Sequence, residues 1–254
     1  MASITEIIDH LNTLLEPGTY ADYAPNGLQV PGAEQVATVV TGVSAGAELL
    51  ARAAELSADL VLVHHGLFWQ GAPLALDAVA ARRLRLLFDH DMALAAYHLP
   101  LDGHMEVGNN ALLARACGCG SWEPFAAHRG AHIGVAGRYG DAGIPLEELV
   151  SRVRATCHDR EPLVFPAGAD RVRSVGFVSG AGSDHLLEAV DAGLDAFVTG
   201  EPSERVMIAA REYGITFIAA GHYATETHGV RALGERLAAE FGLTHHFVDV
   251  WNPI

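Results

Sequence analysis

Four aliphatic residues, Leu60-Val61-Leu62-Val63, run directly into two adjacent histidines and a glycine, His64-His65-Gly66. A short unbroken apolar run of this kind reads as a strand buried on both faces, so layers must cover it on each side. Placing imidazoles where such a strand ends is costly unless they find partners or a metal. The remainder of the chain repeats the same device. Strands are expected over 36–43, 60–64, 93–97, 132–137, 172–178, 196–199, 216–220 and 245–250. Amphipathic helices are expected over 45–56, 77–90, 110–116, 146–157, 184–192, 203–213 and 226–241. A capping box, Ser3-Ile4-Thr5-Glu6, opens an N-terminal helix that stops near Pro17-Gly18. Strands alternating with helices define a layered α/β fold.

A weak internal repeat runs through this alternation. Val39–Ser44 leads through a helix to Ala58-Asp59-Leu60 and the histidines, and Val175–Gly180 leads through a similar helix to Leu194-Asp195-Ala196 and Thr199-Gly200-Glu201. The next strand in each copy ends on a histidine, His98 or His222. Two similar α/β lobes facing each other across one site are the expected arrangement. The stretch 121–132, broken by Pro124 and Gly130, is the expected first crossing between them. This gives one domain of 1–125 plus 222–254 and a second of 126–221.

Composition removes several kinds of function. The net charge is −15, which argues against a duplex nucleic-acid binder because phosphate binding needs a basic face. All 16 basic residues are arginine, so neither Schiff-base chemistry nor a phosphate-cradling P-loop lysine is available. Cys117, Cys119 and Cys157 match no zinc ribbon or C-x-x-C motif and read as free thiols of a reducing compartment. The N-terminus lacks the basic-then-apolar pattern of a signal peptide, and no stretch reaches membrane-spanning length. The expectation is a cytoplasmic protein without membrane contact.

Three segments at expected strand ends carry the candidate chemistry: His64-His65-Gly66, then Tyr97-His98-Leu99-Pro100-Leu101-Asp102, then Gly221-His222-Tyr223-Ala224-Thr225-Glu226. Imidazoles and carboxylates without thiolate suit a two-metal site. His64 and His65 would point to opposite faces of an extended strand, so both reach one cluster only if the strand has ended by Gly66. His222 and Glu226 share a helical face if a helix begins near Tyr223. Asp102 follows Pro100 in a segment read as non-helical. Glu201 is either an acid/base group or the cap of a helix beginning at Pro202. Phe68, Trp69 and Tyr223 adjoin these residues and serve either to stack on a base or as core and interface residues.

Asp22-Tyr23-Ala24-Pro25-Asn26-Gly27-Leu28-Gln29-Val30, Val63–Trp69, Tyr97–Asp102, Gly108-Asn109-Asn110, Thr199-Gly200-Glu201 and Ala220–Glu226 together resemble the GTP cyclohydrolase 1 type 2 homologs, the NIF-three-like dinuclear-metal proteins, and most of all their short YbgI-type bacterial members. The resemblance spans the chain from about residue 5 onward. It implies a two-domain fold, a toroidal homohexamer and two divalent metal ions per chain held by His64, His65, Asp102, His222 and Glu226. Zn, Fe, Mn, Co and Ni all suit such nitrogen and oxygen ligands. His98 matches a histidine beside the family's site, as a ligand, an acid/base or a supporting group. The activity expected is a metal-dependent hydrolase acting on a nucleotide or related phosphorylated heterocycle, damaged nucleotides included, with His98 or Glu201 moving the proton. The alternative is a non-catalytic oligomeric ring that stores, delivers or scaffolds metal.

Overall fold

The Leu60–His65 strand lies at the middle of a five-stranded sheet in the computed structural model, which describes residues 1–254. The sheet order is Thr244–Phe247, Thr38–Ser44, Leu60–His65, Ala93–Ala96 and Gly27–Val30; the first four strands are parallel and the last is antiparallel. Leu60 to Val63 are fully buried, as two-sided cover requires. The helix Ala47–Glu55 supplies Leu49, Leu50 and Ala53 to the core that receives Val40, Val61 and Val63.

A second, six-stranded sheet runs Leu163–Phe165, Thr216–Ala219, Ala196–Thr199, Ser174–Val178, Ala131–Arg138 and Ser121–His128. The strands from Thr216–Ala219 to Ser174–Val178 are parallel; Leu163–Phe165 and Ala131–Arg138 on either side run antiparallel to them, and Ser121–His128 is antiparallel to Ala131–Arg138. Side chains alternate between two cores: Val175, Phe177, Val198 and Ile218 enter one, and Val178, Phe197, Phe217 and Ala219 the other. Both faces are therefore covered, the condition under which parallel strands persist.

The chain accordingly forms two compact units, Met1–Leu101 with Gly229–Trp251, and Asp102–His228 with Asn252–Ile254. The repeat read from the sequence is physical. Val39 pairs with Leu60 and Val175 with Ala196, the same 21-residue separation. Asp59 and Asp195 then occupy matching posts. Asp59 Oδ2 accepts the Ala37 and Thr38 N–H groups at 2.8 and 2.9 Å, and Asp195 Oδ2 accepts those of Arg173 and Ser174 at 2.8 and 3.0 Å. Each aspartate also receives a backbone bond from the following strand, Ala93 N to Asp59 O and Thr216 N to Asp195 O.

Several expectations change. Residues 121–132 are not a linker: Ser121–His128 is an edge strand paired with Ala131–Arg138. Pro124 is tolerated there because an edge strand has one side free of ladder bonds. Arg129 and Gly130, both at positive φ, make the tight hairpin turn. This pairing, with the Asn109–Ala116 helix packed on the same sheet, puts 102–125 into the second unit, and 222–228 and 252–254, expected in the first, also belong to the second. Leu99–Gly103 is helical for five residues despite Pro100, because the first helical turn needs no donor from proline. The edge strands Gly27–Val30 and Leu163–Phe165 add to the expected set. No helix is long and apolar enough to cross a membrane.

Candidate metal centre

In the first unit, the C-terminal ends of three neighbouring parallel strands converge at Ser44, His65 and the Tyr97-His98 step. The strand runs through His65 and has ended by Gly66, and the His64 and His65 rings lie 4.6 Å apart. Each ring is drawn sideways toward a neighbouring strand: His64 Nδ1 meets Tyr97 O at 2.9 Å, and His65 Nδ1 meets Ser44 Oγ at 3.0 Å. A carbonyl only accepts, so the proton of neutral His64 sits on Nδ1 and the lone pair on Nε2. His98 completes the group, with ligand atoms of His64, His65 and His98 all within 4.8 Å of one another.

His98 is held by Asp22, a residue that the sequence reading noted only within a motif. Asp22 Oδ1 accepts from His98 Nδ1 at 2.7 Å, and Oδ2 accepts the Leu99 N–H and the Asn26 amide, both at 2.9 Å. Asn26 returns its Oδ1 to the His98 N–H at 2.7 Å. Burial alone would raise the Asp22 carboxyl, but the His98 contact and charge, with Asn26 and the Leu99 N–H, hold it down to about 2. An ionised Asp22 fixes the His98 proton on Nδ1, so Nε2 is the atom of neutral His98 that can take a proton or a ligand.

In the second unit, the equivalent strand ends carry Ser179-Gly180, Thr199-Gly200-Glu201 and Gly221-His222. His222 begins a one-turn helix, His222–Thr225, and Glu226 caps it. The i, i+4 pair therefore meets as expected, His222 Nε2 lying 3.1 Å from Glu226 Oε1. Glu201 contacts His222 Nδ1. Its carboxylate thus orients an imidazole, and the helix expected at Pro202 begins at Glu204 with Ser203 as cap. Burial would lower the His222 pKa, but Glu226 and Glu201 together raise it to about 9.

Asp102 is buried, its Oδ1 accepting Asn109 Nδ2 at 2.9 Å and Ser179 Oγ at 3.0 Å. Asn110, fully buried, ties the same loops by accepting the Ser179 N–H at 2.7 Å and donating to Ile133 O at 2.7 Å. Gly108-Asn109-Asn110 is therefore a platform under Asp102. Gly180, at φ +62, lies so close to the pair above that an added Cβ would fall 2.3 Å from Glu226 Oε1 and 3.1 Å from His222 Nε2. The backbone makes room for these donors.

The donors fit a divalent ion: imidazoles and carboxylates, no thiolate, with outer partners on the imidazoles and on Asp102, the arrangement metal ligands use. The cysteines take no part. Cys117, Cys119 and Cys157 are buried free thiols pushed up to about 12, 11 and 12, chiefly by burial.

Fold and donor chemistry define the class, an α/β protein whose strand ends could hold divalent metal. The chain belongs to the Duf34/NIF3 (NGG1p interacting factor 3) family, whose model matches residues 2–253. A GTP cyclohydrolase 1 type 2 homolog of Pseudomonas aeruginosa is 41% identical over 251 residues, covering 99% of this chain and 98% of the relative. One of the same description from Vibrio cholerae is 43% identical, covering 96% of each chain. The solved structure of protein ybgI, described as of unknown function, superposes with a TM-score of 0.92 at 40% identity over 100% of both chains.

Proposed function

We propose that this chain is a metal-dependent hydrolase acting on a nucleotide or a related phosphorylated heterocycle, with two divalent ions per chain held by His64, His65, Asp102, His222 and Glu226. The observation that carries the reading is His98. Its ring lies 5.0 and 5.6 Å from those of His64 and His65, and Asp22 fixes its proton on Nδ1. An imidazole oriented in this way beside the ligands suits general acid/base transfer. The position of the remaining donors along the chain agrees. Asp102 opens the second unit four residues after His98, and Glu226 lies three residues before the return to the first at Gly229.

When bound, such ions polarise the group under attack and acidify water. His98 Nε2 takes the proton released during attack and returns it to the leaving atom, while Asp22 stabilises the imidazolium. Glu201 holds His222 in its ligating orientation. Asn109 and Ser179 fix Asp102 Oδ1 from one side. The name carried by the relatives from P. aeruginosa and V. cholerae points to purine-ring opening of GTP as the member of this class to assay first.

The test is turnover of a nucleotide panel, including GTP and oxidised purines, by protein loaded in turn with Mn, Fe, Co and Zn. Product that requires metal and disappears in Glu226→Gln is expected. Fully loaded protein that transforms none of the panel overturns the substrate class.

A further inference from the structure

Beyond His65 the chain forms a loop and then the helix Ala78–Asp89, and between them lies a pocket of about 400 Å³. Its volume is that of a small-molecule site. Phe68, Leu74 and Leu76 line it and are exposed, Leu74 fully so. Two other lining residues give the pocket its chemistry. Trp69 is half-buried and stands edge-on to His98, ring centroids 5.1 Å apart, and 5.8 Å from His65. The pocket therefore adjoins the imidazole cluster through one indole.

Arg83 is the second. Its Nε is buried and has no hydrogen-bond partner, and its guanidinium enters no salt bridge. A pocket-lining guanidinium that no carboxylate engages is available to an anion. Asp77 also lines the pocket, but its Oδ1 is committed to the Ala80 N–H at 2.7 Å as the helix cap. Arg82 and Arg85 are exposed on the same helix, so it presents three arginines on a chain of net charge −15. Apolar walls, an aromatic face and a cation together describe the ligand.

We infer that this pocket is a subsite for a planar heterocycle bearing a phosphate, with the ring against Trp69 and the phosphate on Arg83. That this ligand is the substrate rests on the hydrolase reading above; the subsite itself is read by binding alone. It also gives Trp69 a role distinct from that of Tyr223, which is buried.

Calorimetric titration of the zinc-loaded full chain with AMP, GMP, CMP and UMP, each against its nucleoside, tests the assignment. At least one nucleotide is expected to bind about tenfold more tightly than its nucleoside, the size of a charge-assisted contact. Arg83→Met should abolish that difference, Arg83→Lys should restore part of it, and Trp69→Ala should weaken nucleotide and nucleoside alike. Equal binding of nucleotide and nucleoside by the unaltered chain overturns the proposal, whether or not the Arg83 variants fold. So does a difference that survives in Arg83→Met, since the phosphate is then held elsewhere. Absence of saturable binding, with Leu74→Asp changing the oligomeric state in sedimentation, assigns the pocket to a second copy of the chain and overturns it too. Binding that follows Arg83 without turnover in any metal-loaded form supports the subsite and defeats the hydrolase reading separately.

Discussion

Asp22 and Gly180 show how much of the candidate site depends on residues that are not themselves ligands. The Asp22 side chain is 3% exposed and accepts from His98, Asn26 and the Leu99 N–H. Because its folded pKa lies below the ordinary value of 3.8, its contribution is complete above that pH and is lost as pH falls through about 2. Asp22→Asn should therefore cost roughly 2 kcal/mol of unfolding free energy near neutrality. Urea unfolding of the metal-free protein should show that deficit flat above pH 5 and shrinking below pH 4. A deficit that grows on acidification would contradict an ionised Asp22 held by these contacts. Gly180→Ala is a different experiment, since it adds a Cβ where φ is +62 and where Glu226 Oε1 would be 2.3 Å away. About 1 kcal/mol of backbone strain is expected, with zinc affinity at least tenfold lower in chelator competition because Glu226 must move. Little of this was visible in the sequence. Asp22 lies 76 residues from His98, and a glycine motif does not state which carboxylate it shelters.

At the scale of elements, the sequence was most readable where a strand is buried on both faces, because Leu60–Val63 or Ala196–Thr199 has no other stable environment. It was least readable at sheet edges. Ser121–His128 carries Pro124 and alternates irregularly between exposed and buried positions, so its turn residues outweighed its strand character. Leu99–Gly103 was obscured by the opposite error, since Pro100 breaks a helix interior but not a first turn. The repeated parallel pairs provide a sharper test of element logic. Asp59 and Asp195 each fasten two backbone N–H groups ahead of the preceding strand, with the same bonds on either side. Asp59→Ala and Asp195→Ala should each cost about 1–3 kcal/mol, as expected when partly buried donors lose a carboxylate acceptor. The losses should add in the double variant, because the two aspartates share no partner. Chemical denaturation of the three variants checks both the magnitude and the additivity, and a large effect at one position alone would make the correspondence superficial.

For the molecule as a whole, the candidate ligands couple metal uptake to protons. In the metal-free protein, Glu226 and Glu201 keep the His222 pKa at about 9, above its ordinary 6.5. The ion pairs thus stabilise the metal-free fold fully below 6.5 and lose that contribution as pH rises through about 9. A metal ion needs neutral imidazole, so at pH 7 it must expel the proton that these carboxylates favour. Uptake at His222 should therefore release one proton per chain between pH 7 and 8, and apparent affinity should rise close to tenfold per pH unit until it levels near 9. Titrations in buffers of different ionisation enthalpy measure the released proton directly. Glu201→Gln should reduce the release at pH 8 by lowering the His222 pKa, although Glu201 is not itself counted among the ligands. It should also leave the imidazole less firmly oriented, so affinity at high pH falls while its pH dependence becomes shallower. A purely steric role for Glu201 would lower affinity equally at every pH, and an absence of proton release would remove His222 from the ligand set. The outcome also bears on the division of labour between histidines. If His222 gives up its proton to metal while His98 keeps the Asp22 contact on Nδ1, one imidazole binds the ion and the other remains to move a proton.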